Sequence, residues 1–168
     1  MKTTHILAAA LAISLASCNK IKEPDWSSTD DKFIQMAAYG NHNEIEAGAL
    51  DTARATDRSV KDYGRMMIMD HLNAQDELKR IAKDKKEDIP SDADAAHKSL
   101  MQQMMTLSGR AFDSMYIHSQ VKDHKEVISL FQEELSKGKD QDLKDYANKY
   151  LPAIQMHLHH ADTISNRF

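Results

Sequence analysis

Val60-Lys61-Asp62-Tyr63-Gly64-Arg65-Met66-Met67-Ile68-Met69-Asp70-His71-Leu72-Asn73-Ala74-Gln75-Asp76-Glu77-Leu78 places Val60, Gly64, Met67, His71, Ala74 and Leu78 in alternating steps of four and three. That is the seam spacing of a helix packed in a bundle. Asp57 caps this helix, which is predicted to run to about Asp84. One polar residue, His71, stands in the middle of the seam, where a partner must satisfy it.

The same periodicity recurs on both sides. Upstream, Phe33, Ala37, Gly40, Glu44 and Ala47 form the stripe of a helix predicted from an N-cap at Thr29 to about Ala55, with Asp30 and Asp31 in its first turn. Downstream, Ser108-Gly109 precedes a helix reaching about Lys137 with the stripe Asp113, Ile117, Val121, His124, Ile128, Phe131 and Leu135. Gly138 ends it, and Asp140 caps a last helix with the stripe Leu143, Ala147, Tyr150, Ile154, His157, Ala161 and Ile164. No segment reads as a strand. Short links join the first two and the last two long helices. The connection between the second and third is about 24 residues, with a short helix predicted from Ser91 to Leu107, long enough to return along the bundle. The expected fold is all-α, a ferritin-like four-helix bundle with a long, partly helical crossover.

Glu44, His71 and His124 lie near the midpoints of their helices, and His157 lies about one turn, roughly 6 Å, past its own. The first three therefore fall at one height whichever way each helix runs, with His157 within about a turn of it, and the four are expected to form either a metal site or a metal-free hydrogen-bonded core network. Glu46 is on the opposite side of its helix and is expected in solvent. A di-iron carboxylate site needs a Glu three residues before each histidine, whereas Ile68, Val121 and Ile154 stand there. Three imidazoles with one carboxylate suit a single zinc, copper, nickel or ferrous ion instead.

Tyr63 and Tyr116 each precede an aspartate, Asp70 and Asp123, by seven residues, so each pair shares a helix face. Asp70, Asp123 and Tyr116 are candidates to orient a ligand histidine from behind, the alternative being half-exposed surface residues. Asp113 is three turns from His124 and is assigned to a helix-start role. The other histidines, His42, His97, His118, His159 and His160, are expected in solvent, with His160 able to approach His157. Met66, Met67, Met69, Met101, Met104 and Met105 suit cuprous copper chemically, but methionine at helical spacing normally fills core. Pro152 leaves the carbonyl of Asn148 without its helical donor.

The first 17 residues, with Lys2 ahead of an apolar run from Ile6 to Ala16, read as an export signal too short to stay in a membrane. Leu15-Ala16-Ser17-Cys18 resembles the lipobox of bacterial lipoproteins, which implies cleavage before Cys18 and acylation of that residue, the chain's one cysteine. A cleaved soluble signal is the alternative. Residues 18–28 then form a tether, residues 29–168 the bundle, and Trp26 packs on the domain or the lipid interface. Together these features predict an envelope protein, held by its lipid on the periplasmic face of the outer membrane, with an envelope protein as a further partner. Net charge is −4, with acidic and basic residues interspersed, which argues against nucleic acid as a partner. No Gly-rich phosphate loop, serine nucleophile elbow or glycosidase carboxylate pair is recognisable, so enzymatic activity has little support.

From Asp30 to Ile164 the chain resembles the bacterial domain-of-unknown-function family 4142, exported ferritin-like proteins often labelled membrane or outer-membrane proteins. The resemblance rests on Asn43-Glu44-Ile45-Glu46-Ala47-Gly48, Met67 with Asp70-His71, Phe112-Asp113 with Tyr116 and Asp123-His124, and Leu151-Pro152 with His157-Leu158. It implies a four-helix ferritin-like fold and leaves the activity open.

Overall fold

The computed structural model describes residues 26–168. The export signal, Cys18 and the tether up to residue 25 lie outside the described residues. Five helices follow one another: α1 (Ser28–Arg54), α2 (Arg58–Lys85), α3 (Ala95–Met105), α4 (Gly109–Lys137) and α5 (Gln141–Ser165). The all-α expectation holds, and there is no strand among the described residues. No helix among them is long and apolar enough to cross a membrane.

Local chemistry sets the helix starts. Asp57 accepts hydrogen bonds from the amides of Ser59 and Val60, and Asp140 accepts one from Leu143, both as expected. The cap of α1 is Ser27 rather than Thr29, because Asp30 sits three residues on and closes a reciprocal capping box with it. Asp94, not Ser91, caps α3 by accepting from Ala96 and His97. Pro152 lies within α5 without interrupting it. Trp26 packs against the domain, where its indole N–H donates to Asp31.

Hydrogen bonds between helix ends define the topology. Asp30, at the start of α1, accepts from the backbone amides of Lys139 and Asp140 in the α4–α5 link. Asp113, at the start of α4, accepts from Thr56 and Asp57 in the α1–α2 link. The start of α1 therefore meets the start of α5, and the start of α4 meets the start of α2. Between α2 and α4 the chain climbs beside α1. Gln35 donates to the carbonyl of Asp88, Glu46 accepts from the amide of Ala93, Asn43 bonds Asp94, and Arg54 reaches the carbonyls of Met105 and Leu107. Glu46, expected in solvent, is half-buried by this contact.

The two hairpins repeat one another. One chain spacing separates Asp30 from Asp113, Asp51 from Glu134 and the caps Asp57 from Asp140. Asp51 and Glu134 are fully buried carboxyls, each packed on a glycine: a Cβ on Gly64 would collide with Asp51, and one on Gly138 with Glu134. Gly48 allows α1 and α2 to touch, since a Cβ there would lie 2.7 Å from the Gly64 carbonyl oxygen.

The apolar core is divided. One cluster, around Phe33, Leu78, Phe131, Leu143 and Tyr146, fills the end where α1 and α5 begin. A second, around Val60, Met67, Met104, Phe112 and Ile117, fills the end where α2 and α4 begin. Buried polar residues lie between them, among them Asn41, Glu44, His71, Gln75, His124 and His157.

Candidate metal centre

His71 from α2, His124 from α4 and His157 from α5 meet in this polar belt. They are 7%, 2% and 1% exposed, and their ring centroids lie 5.5–6.2 Å apart. One ring nitrogen from each lies within 4.8 Å of the others, a grouping able to hold a metal ion.

Which nitrogen is free follows from the partners. The Nδ1–H of His71 donates to Asn41 Oδ1 at 3.0 Å, because the amide of Asn41 already donates to Gln75 and to the Tyr146 hydroxyl. His124 donates from Nδ1 to the carbonyl of Gln120, one turn earlier in its own helix, at 2.9 Å. His157 donates from Nε2 to Asp70 at 2.9 Å. His71 Nε2, His124 Nε2 and His157 Nδ1 are left buried with no hydrogen-bond partner among the described residues. Each ring thus offers a lone pair whose tautomer is set by the bond at its other nitrogen, the pattern of metal-binding histidines.

Electrostatics keeps these lone pairs available. Burial, reinforced by the neighbouring rings, pushes His71 well below the usual imidazole range and His124 down to about 4, and burial lowers His157 against the opposing pull of Asp70. All three rings are neutral near pH 7.

Glu44 reaches the belt from α1 but faces the other side of His124. Its Oε1 lies 3.7 Å from Nδ1, and its Oε2 has no partner among the described residues. It is not one of the three mutually close donors. Burial, with Asp123 nearby, raises its carboxyl to about 8.

Of the residues expected behind the ligands, Asp70 holds His157. Asp123 pairs instead with His97 Nε2 at 3.4 Å, and Tyr116 is fully buried edge-on to Tyr63, its hydroxyl without a partner among the described residues. His97 was expected in solvent. It is half-buried between Asp94 and Asp123, and those carboxylates, Asp123 foremost, lift its imidazole to about 9. The methionines divide, with Met67 and Met104 in the core and Met69 and Met105 exposed. Sequence reasoning missed Asn41, Gln75 and Gln120. Each lies three or four residues from Glu44, His71 or His124, so its place on the inner face was readable from spacing.

The fold and the belt define a helical bundle protein with a buried three-histidine centre. Its sequence matches the family described as Domain of unknown function (DUF4142) over residues 16–164, and the chain belongs to that family. The structure is similar to a solved DUF305 fragment from Deinococcus radiodurans, with a TM-score of 0.75 and 9% identity over 86% of this chain and 100% of the other. At that identity the likeness concerns the fold alone. No curated protein matches the chain.

Proposed function

We propose that the chain is an envelope lipoprotein, tethered through Cys18, whose ferritin-like four-helix bundle binds a single transition-metal ion and serves in metal buffering or stress protection. The observation that carries this is the set of three buried, unpartnered imidazole nitrogens, one from each of three helices, each with its opposite nitrogen already bonded. A structural polar network would use such lone pairs as acceptors, because an unsatisfied buried acceptor costs about 1–3 kcal/mol. Here no donor among the described residues reaches them, and a metal ion would satisfy all three at once. Neutral imidazoles suit zinc, copper, nickel or ferrous ions, and three of them leave one position of a tetrahedral ion open. Tethering rests on the motif Leu15-Ala16-Ser17-Cys18.

Fractionation of cells with metal analysis tests both parts. The full chain should appear in membranes with close to one equivalent of a transition metal, and Cys18→Ala should move it, metal included, to the soluble fraction. Absence of metal from the purified protein would refute the centre, and membrane retention of Cys18→Ala after a high-salt wash would refute the anchor.

A further inference from the structure

Between α1 and α4 the surface opens into a groove of about 290 Å³, with Met36, Gly40 and Val127 in its wall and Asp94, Asp123 and Glu126 around it. Behind it lies a cavity of about 20 Å³ that touches His71 and His124. Three residues, Gly40, Glu44 and Val127, line both spaces and form the partition between them. Glu44 is 6% exposed, its Oε2 has no partner among the described residues, and its Oε1 lies 3.7 Å from His124.

We propose that the ion reaches the histidines through this groove and that Glu44 passes it across the partition. The inference rests on the metal reading above. The groove has room for an ion that still carries several waters, at roughly 30 Å³ each, whereas the inner cavity has room for about one. An ion must therefore shed its shell at the partition, where the Glu44 carboxyl, giving up its proton to groove water as the cation takes its place, replaces departing water with a hard ligand that an amide cannot match. The groove's charge favours a cation. Asp94, Asp123, Glu126 and Glu133 stand against Lys32, which is tied to Glu133 at 2.7 Å, and His97, which is held between Asp94 and Asp123. The rival seam, between α2 and α5, holds a cavity of about 20 Å³ near Ala153 and His157, but its carboxylate, Asp70, is already bonded to His157.

The partition can be closed without disturbing the histidines. A Cβ added at Gly40 meets only Val127 Cγ2, at 3.9 Å, so a larger side chain there fills the gap. The test mixes metal-free full chain with cobalt(II) and follows the visible absorption of the bound ion, in uptake and then in release to a chelator. Gly40→Leu should slow uptake and release alike by about tenfold or more and leave equilibrium affinity within about twofold, because a route sets rates and not the end state. Glu44→Gln, nearly the same shape, should slow both in the same direction, and Ala153→Leu should slow neither. Wild-type rates in both Gly40→Leu and Glu44→Gln, or slowing confined to Ala153→Leu, would overturn the route and leave the metal centre standing. If wild type develops no cobalt band at all, the metal reading itself falls and the route with it.

Discussion

Each histidine of the centre commits one nitrogen to a single acceptor, and that acceptor decides which lone pair faces the middle. Spacing placed His71, His124 and His157 on inner faces at one height. It held no information on which ring nitrogen stays free, because that depends on Asn41, on the Gln120 carbonyl and on Asp70 across a helix boundary. The same limit applies to Glu44, whose height was legible but whose side of His124 was not. Buried ionisable groups also make metal-free stability depend on pH. The three imidazoles have lowered values in the folded chain, so their contribution is complete above about 6.5, the unfolded value, and is lost as pH falls toward about 4, the value of His124. Glu44, Asp51 and Glu134 are raised to about 8 by burial, so theirs is complete below the ordinary carboxyl range and is lost as pH rises to about 8. Above 6.5 the three carboxyls remain in play together with His97, which is raised to about 9 and whose contribution is complete below 6.5 and lost as pH rises toward 9. Urea unfolding of the metal-free protein should therefore show stability falling between pH 6.5 and 8, and Glu134→Gln should remove roughly a quarter of that fall, as one of four such groups. An identical pH dependence in the variant would contradict the assignment.

At the scale of elements, each hairpin link is held by an aspartate from the other hairpin. Asp113 accepts from both Thr56 and Asp57 and from the Thr56 hydroxyl, an arrangement that Asp30 mirrors at the opposite end. Asp113→Ala strands these donors and should cost on the order of 2–3 kcal/mol, read from the shift in the urea midpoint at unchanged slope. A loss below about 0.5 kcal/mol, the size of an ordinary surface change, would show that water replaces the carboxylate. Helix spans were legible to within a few residues from periodicity, and so were the caps Asp57 and Asp140, which stand alone before their helices. Ser27 and Asp94 were misassigned because several capping residues crowd each site, in Ser27-Ser28-Thr29-Asp30 and Ser91-Asp92-Ala93-Asp94, and only the amides that each side chain reaches distinguish them. The helix-start role given to Asp113 had the right neighbourhood but the wrong helix: it serves the start of α2, a long-range contact that no local pattern encodes.

Across the whole molecule, two apolar clusters stabilise the ends of the bundle, and a polar belt crosses its middle. The contacts from Gln35 to Arg54 hold the connection between α2 and α4 against α1. Sequence could not supply the division of the core, which arises because Asn41, Gln75 and Gln120 join the histidines in three dimensions. A belt of this kind weakens the metal-free fold by leaving lone pairs unsatisfied, and an ion that fills it should strengthen the fold by mass action. The most direct test is thermal unfolding of wild type and of His71→Ala, His124→Ala and His157→Ala, each with and without zinc. Zinc at about 100 times its dissociation constant should stabilise wild type by about 2.7 kcal/mol, seen as a clear rise in melting temperature, and each variant should lose most of that rise. No rise in wild type, or equal rises in all four proteins, would contradict a shared three-histidine centre.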